Sequence, residues 1–360
     1  LADTAYPDAI DGYVIPEGYV YRNITDETLI LEQFIAGDLT FAQAPSARND
    51  DLRAMGTEGT AQVSELPAAS IQFIGLNQAD PTNPQPGLDE EGNAIDQGHH
   101  PILGDVRVRQ ALMYAMDWEA LNKAALNGEG VQLASHALPT SWAYDETVPF
   151  YEYDPEKTAA LLEEAGWVDD DNDPATPRVA QGALYAEDGT PLAFKLETNT
   201  GNDASETIET LLQEQWGAAG FQVDFQQIDF NTLLDAFVGQ TYDAVMLFWG
   251  FSFPDNPDDA SGNFSASNDI PGSGFNVTSY NNPRVTEILQ EANEVAGCDQ
   301  TVRADLYKEM FRLLRDDAPW IWLDTSVIVF GAQTGVQNWD PLPGLGVSWN
   351  EDAWVVPVSD

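Results

Sequence analysis

At 360 residues the chain can bury a large core and divide into two domains. Sixty Asp and Glu against fourteen Lys and Arg give a net charge of −46, which sets aside nucleic acid and anionic membrane surfaces as partners; a hydrophobic content of 43% sets aside a disordered chain. Cys298 is the only cysteine, so no internal disulfide forms, and the longest apolar run, Ala244 to Gly250, is far below the roughly 18 residues of a helical membrane span.

The acids are spread along the chain and only four lysines occur, at 123, 157, 195 and 308. A saline habitat and solubility through self-repulsion both account for such a surface. The chain starts at Leu1-Ala2-Asp3 without a basic and apolar leader, so an export signal for a secreted protein is expected outside it.

In chain order, residues 1–76 read as an extended start, a helix carrying Leu29, Leu31 and Phe34 ahead of Gly37, and a strand from Ser70 to Leu76. Gln78 to Gly98, rich in Asp, Pro, Asn and Gly, reads as a loop. Asp105 then caps a helix whose buried stripe is Val108, Ala111, Leu112 and Ala115, with Arg107 and Arg109 off the stripe. Asp117 caps the next helix, with Leu121, Ala124 and Ala125 inward and Asn127-Gly128 as its stop. Asp154 with Pro155 opens a third, which turns Leu161, Leu162 and Ala165 inward and ends at Gly166. Val168 to Pro191 is polar and turn-rich, an irregular excursion.

From Leu192 the types alternate. Leu192–Leu196 is a strand, and Ile208, Leu211, Leu212 and Ala219 mark a helix. Phe221–Phe225 is a second strand; Phe230, Leu233, Leu234 and Phe237 mark a helix ending at Gly239; Ala244 to Trp249 is a buried strand. This βαβαβ pattern predicts a parallel sheet. Asn282 with Pro283 opens a helix bearing Val285, Ile288, Leu289 and Ala292, and another carries Leu306, Met310, Phe311 and Leu314 and ends before Ala318-Pro319. A strand from Trp320 to Val329 and a Gly/Pro/Trp-rich tail complete the chain, without an internal repeat or flexible linker.

Few residues suggest chemistry. His99 and His100 point apart as neighbours in sequence and, with His136, read as loop residues, and no HExxH, CxxC, GxSxG or Walker A motif occurs. Asp169, Asp171 and Asp173 have the spacing of a calcium loop, but Pro174 and Ala180 replace its Gly and its bidentate Glu, so they read as solvated acids. Acid pairs such as Asp258-Asp259 and Asp316-Asp317 carry no information in so acidic a chain. No metal, cofactor or catalytic residue is expected, and Cys298 reads as an inert surface thiol. Tyr242 to Asp255 ends a buried strand in Trp249-Gly250 and a Pro-containing loop, placing aromatics either in the core or at the ligand-binding edge of an α/β sheet.

Several of these words, in this order, resemble the solute-binding proteins of ABC importers, family 5, which take peptides, nickel and oligosaccharides. They are Ile71 to Asn77, Val106-Arg107-Val108-Arg109-Gln110-Ala111, Tyr153-Asp154-Pro155-Glu156-Lys157 with Ala165-Gly166-Trp167, Tyr242 to Trp249, Tyr280-Asn281-Asn282-Pro283 and Asp317-Ala318-Pro319. The resemblance implies an α/β, type II periplasmic-binding-protein-like fold of two lobes with a hinge. Residues 1–76 and 326–360 then belong to lobe I and residues 77–325 to lobe II. Matching begins at a segment resembling Tyr19 to Ala44, so the chain corresponds to the carboxyl-terminal part of the pattern with lobe I incomplete, either a fragment or a natural reduction.

The implied function is capture of a solute outside the cytoplasmic membrane, in the periplasm or at the cell surface, by a monomer that delivers it to a membrane permease. A lipid anchor would lie in a segment outside this chain. Implied ligand contacts are Gln72, Phe73, Asn199, Trp249, Gly250, Phe251, Ser252, Asp255, Trp322 and Asp324. Peptide binders of the family carry an Asp where Ser252 stands, to pair with an α-ammonium, and Asn199 replaces a carboxylate-binding Arg of dipeptide binders. Ser252 cannot offset the desolvation of a cation, so a neutral oligosaccharide competes with an oligopeptide, with Asp255 as a replacement acid. Two other classes stay open: a solute-free sensor on the same fold, and a secreted hydrolase using paired acids.

Overall fold

The computed structural model describes residues 20–22, 24, 27–45, 48–171, 173, 176–251, 257–342 and 350–355. The expected extended start before residue 20 and the tail segments 343–349 and 356–360 lie outside them. The elements begin with α1 (Glu27–Ile35), β1 (Phe41–Gln43), α2 (Asn49–Glu58), β2 (Ala61–Pro67) and β3 (Ser70–Leu76). Next come α3 (Val106–Tyr114), α4 (Trp118–Ala125), β4 (Gly130–Gln132), α5 (Pro155–Glu164), β5 (Trp167–Val168) and β6 (Val179–Ala180). The βαβαβ stretch is β7 (Ala193–Asn199), α6 (Asp203–Ala218), β8 (Gln222–Ile228), α7 (Phe230–Gly239) and β9 (Ala244–Gly250). The remainder is α8 (Ala260–Phe264), α9 (Pro283–Glu294), α10 (Gln300–Asp317) and β10 (Trp320–Gln333).

Side-chain oxygens start these helices where the sequence places them. Asp105 accepts from the Arg107 amide, Asp117 from Ala120, Asp154 from Lys157 and Asn282 from Arg284. Each satisfies one of the amides that a helix start leaves without a partner.

The chain divides into two compact units, Leu1–Ala69 with Ser326–Asp360, and Ser70–Thr325. In the first, the later part of β10 is flanked by β1, opposite Phe330 to Ala332, and by β2, opposite Val327 to Gln333, both antiparallel. Leu31, Phe34, Leu52 and Val329 form its core. Gly331 is required there, because a Cβ would stand 2.8 Å from Leu52 and 3.0 Å from the Phe34 ring.

The second unit holds the strand order β10–β3–β9–β7–β8. The βαβαβ stretch is parallel as expected, with β7 between β8 and β9. Beyond β9 the sheet turns antiparallel: all of β3 pairs with β9, Ser70 opposite Gly250 through Leu76 opposite Ala244, and β3 then pairs with the start of β10. This pairing puts β3 in the second unit, whereas the sequence reading gave residues 70–76 to lobe I. Successive strand residues face opposite sides, and both sides are covered. Ile74, Leu196, Met246 and Ile321 pack in a core with α3, α4, α5 and α6, and Phe73, Val245, Leu247, Trp320 and Trp322 in another with α7, α9 and α10. Double burial explains why these strands read as unbroken apolar runs.

Ala124, expected to face inward on α4, is exposed, and of the apolar residues that mark α1 and α7, Leu29, Phe230 and Leu234 are exposed. His100 is buried, its Nδ1 accepting from the Ile102 and Leu103 amides and its Nε2 lying 3.2 Å from Asp243. The Val168–Pro191 excursion contains the β5–β6 ladder.

Arg109 is the largest correction. It turns inward and is buried, with Nη1 donating to the Leu103 and Gly104 carbonyls, Nε to Asp317 and Ala318, and Nη2 to Asp317. Burial pulls its pKa down to about 10, so it stays cationic at neutral pH. Every acceptor is a backbone carbonyl, and a lysine cannot reach both groups of carbonyls from one nitrogen. Arg109→Lys is expected to cost about 3 kcal/mol in urea denaturation, since unmet buried carbonyls cost roughly 1–3 kcal/mol each; an unchanged midpoint would show that the clamp is not structural.

Candidate functional site

The parallel strands β7 and β9 run in register at Leu196–Ala244 and Glu197–Val245, β7 ends at Asn199 and β9 continues to Gly250, and aromatic rings gather on one face of that edge. Trp249 continues the face of Val245 and Leu247 and is half-buried. Its ring lies 5.6 Å from Phe275, which is 52% exposed, and 6.0 Å from Trp320, edge-on to both. Trp320 stacks on Phe73 at 3.8 Å and meets Phe264 at 5.2 Å. His136 closes the group: its imidazole is 5.0 Å from Phe251, 5.0 Å from Phe264 and 5.1 Å from Trp320.

Loops bring Phe251, Phe275 and His136, and buried polar side chains fix the turn that carries Phe275. Asn276 donates from Nδ2 to the Ser265 and Tyr280 carbonyls, which holds the turn carrying Phe275. Asp269 ties that turn to the body, accepting from Gln240 at 2.7 Å and from Gln97 at 2.8 Å, and burial pushes its pKa up to about 6.

The wall is electrically neutral. Burial alone pushes His136 down to about 3, and neither ring nitrogen has a hydrogen-bond partner. The indole N–H groups of Trp320 and Trp322 also lack acceptors. These polar atoms are sealed inside the group, so the surface left open is the half-buried Trp249 ring and the exposed Phe275 ring, which can stack on apolar faces. Among the described residues no three His, Cys, Asp or Glu side chains gather as metal ligands; Asp171 instead accepts from the Asp173 amide and Thr176 hydroxyl.

Of the ten residues named from sequence, Phe73, Trp249, Phe251 and Trp322 share this aromatic group, and Asn199 ends β7 on the same face. Trp322 is a fully buried packing partner and not an open stacking surface. Gly250 is exposed at the end of β9. Ser252 and Asp255 lie outside the described residues.

Gln72 and Asp324 face the opposite side of the sheet. Gln72 is buried and donates from Nε2 to Ser205 Oγ at 3.0 Å, while Asp324 borders a cavity with Trp118, Asn122 and Ile208. Gln72 and Phe73 are adjacent on one strand, so they cannot line the same surface. The sequence reading missed His136, Phe264, Phe275 and Trp320. Only Trp320 had a signal: two residues before Trp322, it shares that residue's face.

Known proteins match this geometry and this sequence. A family model described as bacterial extracellular solute-binding proteins, family 5 Middle, matches residues 10–271. The oligopeptide-binding protein AppA of Bacillus subtilis (strain 168) is 27% identical over 324 residues, 89% of this chain and 52% of that protein. The dipeptide-binding protein of Escherichia coli (strain K12) is 28% identical over 242 residues, 67% of this chain and 41% of that protein. The chain thus spans about half the length of the curated relatives it matches.

Among solved structures, AppA from Bacillus subtilis in complex with a nonapeptide superposes with a TM-score of 0.72 at 24% identity, covering 93% of this chain and 59% of that one. Lactococcal OppA complexed with an endogenous peptide in the closed conformation gives 0.73 at 18% identity, covering 92% and 58%. The fold is therefore that of the type II periplasmic binding proteins. With the family model matching well over half its length, the chain belongs to the bacterial extracellular solute-binding proteins, family 5.

Proposed function

We propose that the chain is the solute-capturing part of an ABC importer component, holding an oligopeptide or oligosaccharide outside the cytoplasmic membrane for delivery to the permease. The family match carries this reading, and the wall of Trp249, Phe275, Trp320 and His136 supports it. Trp249 and Phe275 stack on the solute, and Asn199 hydrogen-bonds its neutral groups. Solute capture in two lobes proceeds by population shift, the closed form being favoured by contacts made only when both touch the ligand. The protein acts as a monomer.

A library of oligopeptides and oligosaccharides tests the reading by thermal shift on the protein in its native, full-length form. A true ligand at a hundred times its Kd stabilises by about 2.7 kcal/mol, and Trp249→Ala is expected to weaken binding at least tenfold, about 1.4 kcal/mol. No shift with any solute would refute capture. An unaffected Kd in the variant would instead place the solute elsewhere.

The buried imidazole sets the acid limit of such assays. His136 titrates near 6.5 when unfolded and at about 3 when folded, so its contribution is fully present above pH 6.5 and is lost as pH falls toward 3. The loss reaches on the order of 5 kcal/mol. His136→Leu is expected to flatten the fall in urea stability between pH 6 and 4 relative to wild type; parallel curves would show that the imidazole is solvated.

A further inference from the structure

Asp324 reaches the far side of the sheet through a slip in the ladder. Trp322 pairs with Phe73 and Asp324 with Gln72, so Leu323 is an extra residue, and Leu323 and Asp324 both line the α4 and α6 side. Asp324 is 4% exposed, and its carboxyl makes no hydrogen bond with the described residues. It borders a cavity of about 10 Å³, the room of one water molecule, whose other walls include Trp118, Leu121, Asn122 and Ile208.

The polar neighbours are committed elsewhere. Trp118 Nε1 donates to the Leu323 carbonyl at 2.6 Å, and the Asn122 amide is exchanged with the Gly130 backbone at 2.8 and 3.2 Å. Gln72 spends Nε2 on Ser205, and its buried Oε1 has no donor. Among the described residues of the elements packed against it, no charge faces the acid. β3 carries none; on α4 and its cap, Asp117 accepts from Ala120, and Glu119 and Lys123 are exposed. On α6, Asp203 and Glu206 are exposed, Glu214 is exposed, and Glu209 accepts from Gln227. Burial is the sole cause that pushes the Asp324 pKa up, to about 7.

An ionised carboxylate here would lack any donor beside an amide oxygen that also lacks one. A carboxylic acid supplies the missing O–H. We propose that Asp324 is protonated and gives its O–H to Gln72 Oε1, on its partner across the ladder, so that β3 and β10 are joined by a proton-dependent hydrogen bond. The bond lies one residue before Thr325, where the chain leaves the second unit, and two residues after Ser70, where it enters. Ionisation withdraws the donor and loosens this end of the ladder. The folded acid holds its proton to higher pH than the unfolded one, so the bond is complete at low pH and is lost as pH rises through neutrality. The proposal does not depend on which solute the protein carries.

Carboxyl-carbon NMR of the whole chain, assigned by sequence, tests it together with amide hydrogen exchange. The Asp324 carboxyl should titrate near neutrality, above Asp269, and its signal should be missing from Asp324→Asn. Exchange at residues 70–72 and 324–325, corrected for intrinsic rates, should be at least tenfold slower at pH 5.5 than at pH 8 in wild type. Asp324→Asn keeps a donor, so it should be protected at both pH values; Asp324→Leu should be unprotected at both. A midpoint below 5, or an Asn variant with the wild-type pH dependence, overturns the proposal. So does a Leu variant as protected as wild type at pH 5.5. The wild-type titration decides alone should the Leu variant not fold.

Discussion

The register of the strand that feeds the aromatic wall depends on one buried cation. Arg109 gathers the Asp317 and Ala318 carbonyls at the end of α10 with the Leu103 and Gly104 carbonyls ahead of α3. Ala318 sits there at φ 47°, a left-handed conformation unfavourable for a residue with a side chain. Further bonds hold the turn: Tyr280 and Asn282 both donate to Asp317 Oδ2, at 2.6 and 2.7 Å, and the Leu76 amide donates to Pro319. The turn therefore starts β10 at a fixed point, with Trp320 opposite Gly75. From there the two-residue period delivers Trp320 and Trp322 to one face. The family's words around Arg109, Tyr280 and Asp317 are thus one joint, remote in sequence and shared in space, which sets the wall without belonging to it.

The same strand serves two environments because its register slips once. Up to Trp322 the alternation keeps indoles on one side and Ile321 on the other. The extra residue at Leu323 then turns Asp324 onto the side of Gln72. A strictly regular β10 would have put Asp324 with the tryptophans, where an acid would meet rings and no cavity. The bulge separates a neutral, aromatic surface from a polar pair near the crossing between units.

Much of this was legible locally. Caps at Asp105, Asp154 and Asn282, the period of α9 and the βαβαβ alternation are encoded within short windows, and they formed as read. The opposition of Gln72 and Phe73 was also legible, since neighbours on a strand face apart, although both were assigned to one site. Other features depend on partners distant in the chain. An arginine on a helix reads as outward-facing until carbonyls some 208 residues away are known to wait for it. His136 and Phe275 come from loops, the latter's course set by Asn276 and Asp269, and no periodicity marks them. The short β1–α2–β2 run before residue 67 went unread because its strands are stable only alongside β10.

Charge imbalance explains how the interior handles its acids. With fourteen cations for sixty carboxylates, most acids cannot have a cationic partner, and helix starts serve many of them instead, the amides and the positive end of the helix dipole standing in for a cation. Surface cations are shared among several acids, as Arg284 is among Glu287, Glu291 and Glu309. Arg109, the buried cation among the described residues, is consumed by carbonyls. Glu197 keeps Lys195 as its partner at 2.8 Å, but an acid buried away from both helix starts and such a cation has one counterion within reach, the proton. Asp269 softens that need with neutral donors and rises only to about 6, whereas Asp324 has none and rises to about 7. Desolvation without compensation is what separates the two, so the proton-binding position is a consequence of where the bulge leaves Asp324.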